Sequence, residues 1–574
     1  MASEIVTQDA YPQELTAGRP LDPPAPPEGT FEIGLVLAGA VSAGAYTAGV
    51  LDFLFEALEA WQDAKAAGRD VPRHEVRIRV ITGASAGAIS GAIAATALRY
   101  RFPHCSAKKL DPTNPLFKAW VEDIDITKLL ETGDLTRNTL PQSLLDTSCL
   151  TRIAADAISY SNAPLADRPY VADPLKLIFT VTNLCGVPYS IAMKGNSANG
   201  HEMTMHADWL RFAVAYSSDA RDSPSICPDE TLLAYPNSWN VQVWQDLGTA
   251  VLASAAFPIG LLPRLFTRKT SDYDYRYVMV PGEGGQPPGF IQIKPTWKNP
   301  PPSPTYTFLN VDGGVMNNEP LDLARKELAG ELGHNPRDGL TATRAIIMVD
   351  PFPDPAQLGP DAPVDLVRAG LGLTTAWKEQ ARFKPEDVAL ALAPNVFSRF
   401  LVSPSRGQDS AISKGYALAS GALGGFSGFL HRSYRLHDYL LGRRNCQQFL
   451  ARHFSLPADN PLFAGRMPTD RSPYLIGSGT AAELPLIPLM PGINDPGANQ
   501  EAVPAWPVGQ FNVESIRSPM SERVGAVLSA LKDAKLSGGF KFGIGCLLWA
   551  FQVRRKITDW ALHRIDQELG NRGL

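Results

Sequence analysis

The sequence predicts an α/β protein with a mostly parallel central sheet flanked by helices, followed by a mainly helical C-terminal region, and three observations carry that expectation. Two short apolar runs, Phe31 to Leu37 (FEIGLVL) and Val76 to Ile81 (VRIRVI), each pass through a small-residue turn into a stretch of helical apolar spacing. That repeated strand-to-helix unit is the signature of a parallel sheet. Three more apolar runs of strand length follow at 175–181 (LKLIFTV), 306–311 (YTFLNV) and 344–349 (RAIIMV). Beyond residue 355 such runs stop, and helical patterns dominate up to Phe454.

Residues 1–30, with RPLDPPAPPEG, form a polar, Pro-rich tail that cannot bury enough apolar area to offset its ordering entropy. After the first strand, the loop Leu37 to Tyr46 (LAGAVSAGAY) feeds a helix over Tyr46 to Ala66, where Leu51, Leu54, Phe55 and Leu58 recur at helical spacing. The second strand gives way at Gly83-Ala84-Ser85-Ala86-Gly87 to a helix of small apolar residues, Ala88 to Leu98. Residues 111–170 read as an insert of short helices and 272–298 as a Gly/Pro-punctuated hairpin, both placed to cover the site. The last strand ends in Asp350-Pro351. A soft boundary near 355 divides a 31–355 domain from the 356–574 region, in which a Pro-rich loop region runs from roughly 457 to 508 before helices resume.

Composition narrows the function classes. Hydrophobic residues at 44% and charged residues at 19% describe a folded globular chain rather than a disordered one. The net charge is −5, from 53 basic and 58 acidic side chains interspersed along 574 residues, so no broad positive field invites nucleic acid. The six cysteines lie far apart without a CxxC pair, which predicts free thiols and no zinc cluster. The start MASEIVTQDAYPQEL carries an early acidic residue and no apolar stretch, so a cytoplasmic location is expected. Phe540 to Phe551 (FKFGIGCLLWAF) is too short and Gly-interrupted to cross a bilayer. It reads as a buried helix, with an interfacial anchor as the alternative because Arg554, Arg555 and Lys556 follow.

The chemistry-bearing residues sit at strand ends. A hydroxyl becomes a useful nucleophile only when held exposed beside a base, and Gly83 and Gly87 frame Ser85 in the G-x-S-x-G turn that does the holding. The glycines permit a sharp strand-to-helix turn, and the positive end of the following helix favours the alkoxide. With 48 glycines in 574 residues, chance supplies roughly 0.3 such pentapeptides, so the strand-before, helix-after context is what distinguishes Ser85 from an ordinary turn. Acyl transfer also needs donors for an oxyanion, and the loop at Gly39, Ala40 and Val41 can offer backbone N–H groups. That loop also suits simple close packing; it lacks the Lys-Ser/Thr of a phosphate loop and does not fit G-x-G-x-x-G. Finally, Asp312, followed by Gly313 and Gly314, ends the run YTFLNV, where a carboxylate can take the serine proton directly with no histidine between.

These elements in this order resemble the patatin-like phospholipases, which share a glycine-rich oxyanion loop, a G-x-S-x-G serine and a D-G-[GA] aspartate. The likeness includes Gly44-Ala45-Tyr46-Thr47-Ala48-Gly49-Val50-Leu51, Ala253-Ser254-Ala255-Ala256-Phe257-Pro258 and Asp312 through Pro320 with its Asn317-Asn318 pair, and it covers roughly 31–355. The resemblance implies a three-layer fold and a Ser85–Asp312 dyad that cleaves ester-linked fatty acyl groups of lipids or phospholipids through an acyl-enzyme. It implies no metal or other cofactor, and transient contact with a membrane surface.

One departure stands out. The family's loop usually reads G-G-G-x-[RK]-G, whereas alignment on Gly44 gives Gly39-Ala40-Val41-Ser42-Ala43-Gly44 here, with no cation and a β-branched residue that resists positive φ. The altered loop leaves open a patatin-fold lipid-binding or interaction protein with impaired catalysis; a separate alternative is a Ser-His-Asp α/β-hydrolase, which would require a histidine after the acid, such as His334. In the C-terminal region, Arg435 and Asp438 at i, i+3 spacing predict an ion pair, with His431 and His437 as structural or surface histidines.

Overall fold

The computed structural model describes residue 23 and residues 25–574 apart from 136–138, 163, 194–195, 281–288, 298–303, 332, 353–379, 383, 408–412, 414, 480–481, 494–499 and 536–543. Most of the Pro-rich start, the boundary near 355 and the side chains of 541–551 thus lie outside the described residues. The strands are β1 (Thr30–Leu37), β2 (Glu75–Gly83), β3 (Val171–Met193), β4 (Asn196–Ala215), β5 (Thr231–Ala234), β6 (Arg264–Lys269), β7 (Arg276–Val280), β8 (Gly289–Ile293), β9 (Thr305–Asp312), β10 (Arg344–Val349) and β11 (Arg399–Val402). The longer helices are α1 (Gly44–Ala66), α2 (Ala86–Ala97), α3 (Ser148–Ile158), α4 (Gln242–Ser254), α5 (Leu321–Ala329), α6 (Arg432–Arg452), α7 (Arg517–Lys535) and α8 (Ile544–Arg572).

The main sheet runs β11-β10-β1-β2-β3-β4-β5. The strands from β11 to β3 are mutually parallel, β4 turns back antiparallel to β3, and β5 is parallel to β4. Every residue of β1 and β10 is buried, because helices cover both faces, and this is why TFEIGLVL and RAIIMV read as unbroken apolar runs. The 111–170 insert does form short helices, and the 272–298 hairpin is the antiparallel pair β7–β8.

Three sequence expectations need correcting. The run 175–181 is only part of a 23-residue β3, which pairs with the largely polar β4 (NSANGHEMTMHADWLRFAVA), a strand that a search for apolar runs passes over. The strand alternation does not stop at 355, since β11 adds to the sheet beside β10. Arg435 and Asp438 do not pair with each other. Arg435 donates to the carbonyls of Gly428 and Val121, and Asp438 accepts the N–H groups of Ala419 and Ser420. Both residues are buried against irregular chain whose unpaired backbone groups need partners more than the two side chains need each other. His431 caps the start of α6, and buried His437 bonds Asp438, so both are structural.

One hydrophobic core holds Leu37, Tyr46, Phe53, Ile81 and Phe179 together with Tyr439, Leu441, Phe449 and Leu486. The stretch Val41–Ala66, which contains α1, is long and apolar enough to cross a membrane, yet it is largely buried in the protein. It packs on α6 at near backbone contact: a Cβ at Gly49 would lie 1.9 Å from the Tyr439 carbonyl oxygen, and one at Gly442 would lie 2.1 Å from that of Tyr46. Beside this crossing, wholly buried Asp52 accepts hydrogen bonds from Arg443 (2.5 Å), Tyr439 (2.8 Å), His104 (2.8 Å) and Asn114 (2.7 Å). Burial alone would raise the Asp52 carboxyl, but Arg443 and His104 outweigh it and hold it well below the usual carboxylate range. The five described cysteines are free thiols.

Candidate active site

Sheet register brings the distant motifs together. Leu37 at the end of β1 pairs with Gly83 at the end of β2, and Gly83 pairs with Phe179 on β3. Two residues further along β3, Val181 pairs with Asp312 at the end of β9. The loop after β1, the turn after β2 and the end of β9 therefore meet at one edge of the sheet, beyond the carboxyl ends of its parallel strands, where α/β proteins place their ligands.

Ser85 occupies a strained elbow, with φ 51° and ψ −123°, immediately before α2. Its flanking glycines are required by close approach: a Cβ on Gly83 would sit 2.7 Å from the Gly87 carbonyl carbon, and one on Gly87 would sit 2.0 Å from the Leu37 oxygen. The Ser85 N–H donates to Ser254 Oγ at 2.9 Å, and the Ser85 hydroxyl donates to Asp312 Oδ2 at 2.7 Å across 227 positions of sequence. The other Asp312 oxygen accepts the Gly314 N–H at 2.7 Å, and the aspartate backbone is pinned by Ala256 O (2.9 Å) and Thr182 Oγ1 (2.8 Å). Gly313 has no room for a side chain, since a Cβ would lie 2.1 Å from Thr180 O. Both Ser85 and Asp312 are nearly buried, at 6% and 5% exposure, so their hydrogen bond is little screened by water.

The loop at 39–43 borders this pair. A Cβ at Gly39 would meet Ser85 Cβ at 3.1 Å and Asn318 Oδ1 at 2.3 Å. The Gly39 N–H already donates to Asn318 O (3.2 Å), and Asn318 Nδ2 returns a bond to Gly39 O (3.3 Å). Of the three expected oxyanion donors, Gly39 is thus the one whose N–H is spent, leaving Ala40 and Val41. Val41 adopts φ 51° despite its branched side chain, a conformation costing on the order of 1–3 kcal/mol that its surroundings impose. Gly44 lies against the Trp120 ring of the insert. An apolar cavity opens beside α2, lined by Ile89, Ile93, Trp120, Ile153, Val251 and Leu252 among others. No histidine stands between serine and aspartate, and His334 is exposed near Arg325, Arg337 and Arg399.

Chemically, such a site can pass a proton from hydroxyl to carboxylate while backbone amides face the charge that develops on an attacked carbonyl. Motif reading missed the parts played by Ser254 and Asn318, although both fall in the segments Ala253–Pro258 and Asp312–Pro320 that carry the resemblance.

A family profile described as patatin-like phospholipase matches residues 35–325. The chain is 32% identical over 583 residues to uncharacterized protein y4iI of Sinorhizobium fredii (strain NBRC 101917 / NGR234), covering 94% of this chain and 81% of that protein. Among solved structures it aligns with VipD from Legionella pneumophila at 10% identity and a TM-score of 0.23, over 95% of this chain and 86% of that one. The family match spans the loop, the serine elbow and the aspartate described above, and the mixed sheet between helices fits a patatin-like fold, so the chain belongs to the patatin-like phospholipase family, a class of lipid hydrolases.

Proposed function

We propose that this protein is a serine acyl hydrolase that cleaves ester-linked fatty acyl groups of phospholipids or related lipids, with Ser85 as nucleophile and Asp312 as base. The observation that carries the reading is the 2.7 Å hydrogen bond from the Ser85 hydroxyl to a nearly buried Asp312 carboxylate. In the first step Asp312 takes the Ser85 proton as Oγ attacks the ester carbonyl, and the oxyanion is held by the N–H groups of Ala40 and Val41. Collapse forms the acyl-serine and expels the lipid alcohol, which leaves with the proton from Asp312. Asp312 then takes a proton from water, the resulting hydroxide attacks the acyl-serine, and fatty acid leaves while Ser85 regains its proton.

The acyl chain would lie in the apolar cavity, where Ile89 and Ile93 sit one and two turns along α2 from Ser85. Contact with a membrane surface is supported by Leu144 and Ile259, exposed at 51% and 74% and joined by the Leu144 N–H to Ile259 O bond of 2.9 Å. We place the protein in the cytoplasm, touching membranes transiently. Lipid profiling of hydrolysis products tests the reading: wild type should release fatty acid from ester lipids, and Asp312→Asn should lower turnover on the order of 10³-fold. An active Asp312→Asn would remove the base; an inactive wild type would favour the lipid-binding reading that the altered loop keeps in view.

A further inference from the structure

The loop that borders Ser85 has Ala40 and Val41 where its family usually has glycines and lacks the usual cation, and Val41 within it holds φ 51°. Something outside the loop must keep it there. Ser42, wholly buried, donates its hydroxyl proton to Gly425 O and accepts the Gly428 N–H at 3.0 Å. Both partners belong to the C-terminal half, 383 or more positions away. They lie in a run of turns where Leu423, Gly424 and Gly425 all have positive φ, at 56°, 64° and 99°. A Cβ at Gly428 would come within 2.5 Å of Ser42 Oγ, so glycine is what allows the contact.

That segment is in turn fixed from α6. The Asp438 carboxylate accepts the N–H groups of Ala419 and Ser420 at 2.9 Å each, together with the Ser420 hydroxyl. Arg435 donates to Gly428 O at 2.7 Å and to Val121 O at 3.1 Å, joining the segment to the helical insert. The bonds run unbroken from the loop to α6.

We infer that the C-terminal segment 419–438 is a working part of the active site: through Ser42 it holds the oxyanion loop in its strained, donor-presenting conformation, with Ser42 and Asp438 as positioning residues. The inference rests on the acyl-hydrolase reading of Ser85. It explains how a loop without two of its usual glycines and without the cation presents the Ala40 and Val41 amides, and it gives a segment beyond the family match a role in catalysis.

The test is made in the full chain, with Ser42→Ala, the volume-conserving Asp438→Asn, and Thr96→Ala as a control that loses a comparably buried hydroxyl elsewhere. Steady-state hydrolysis of an ester lipid and amide hydrogen exchange are measured on each. Ser42→Ala should lower kcat by about 10- to 100-fold, with KM changed less than about twofold, because the loss falls on transition-state donors rather than on substrate binding. Exchange over 38–44 should quicken in Ser42→Ala and Asp438→Asn but not in Thr96→Ala. Unchanged kcat and unchanged loop exchange in Ser42→Ala would overturn the inference. If wild type shows no Ser85-dependent hydrolysis while exchange still quickens in Ser42→Ala, the acyl-hydrolase reading and the catalytic part of the inference fall together, and the tie itself stands.

Discussion

Replacing Gly442 by alanine should unseat α6 from α1, and the size of the effect follows from the crossing geometry. The new Cβ would lie 2.1 Å from Tyr46 O, where ordinary contact needs about 3.4 Å, so the two backbones must part by more than an ångström. Alanine gains about 1 kcal/mol of helix propensity over glycine, but overpacking against a backbone atom that cannot swing aside costs about 1–3 kcal/mol. The separation also stretches the bonds of Arg443 (2.5 Å) and Tyr439 (2.8 Å) to wholly buried Asp52. Loosening a buried charge pair costs about 3–5 kcal/mol when one partner is lost outright. A net loss of about 3 kcal/mol is expected. At about 2 °C per kcal/mol for a large body, scanning calorimetry should show the melting midpoint falling by about 6 °C. Gly570→Ala in α8, where an added Cβ meets nothing within 4 Å, should leave the midpoint unchanged or slightly raised. A Gly442→Ala protein that melts with wild type would refute the close crossing and the packing of α6 into the hydrophobic core around α1.

Gly39→Ala should lower kcat at least 100-fold with little change in melting, because its Cβ would press on Asn318 Oδ1 and Ser85 Cβ; steady-state kinetics with a calorimetric control checks this. Ser254→Ala leaves the Ser85 N–H without its acceptor at a cost of about 1–3 kcal/mol, and should slow acylation while leaving the overall fold intact by circular dichroism. Two histidines bound the pH range of stability, starting from an unfolded value near 6.5. Burial would lower His104, but Asp52 and Glu59 outweigh it and push it up to about 9, so its contribution is full below about pH 6.5 and is lost as pH rises through about 9. Burial pulls His74 down to about 3, so its contribution is present above about pH 6.5 and is lost as pH falls towards about 3. The melting midpoint should therefore peak near neutrality. His104→Gln should flatten the alkaline limb, worth on the order of 2–3 kcal/mol, and an unchanged slope between pH 7 and 9 would count against the Asp52–His104 pair.

How far these features were legible in the sequence depends on where the information sits. Strands β1, β2 and β10 announce themselves because burial on both faces or alternate faces writes a local apolar pattern. Ser85 and Asp312 are legible for a related reason, since close backbone approach demands the glycines that mark each motif. Strand β4 is not legible, because much of it is polar and its place is set by pairing with β3 rather than by its own residues. The Arg435–Asp438 spacing misleads because helical periodicity says which side chains are neighbours, and cannot say that buried carbonyls and amides of 419–428 compete for them. The tie from Ser42 to Gly425 and Gly428 leaves no trace in either segment alone, since a serine hydroxyl and two glycines acquire meaning only when the fold apposes them.

In the proposed reaction the Ser85 hydroxyl gives its proton to Asp312 and becomes acylated. The most direct test is to quench turnover of an ester substrate within the first cycle and locate the added acyl mass by peptide mass spectrometry. Wild type should carry an acyl group on Ser85, formed on the order of 10³-fold more slowly in Asp312→Asn and absent in Ser85→Ala. Acylation at another residue, or equally fast acylation of Ser85 in Asp312→Asn, would contradict that reaction.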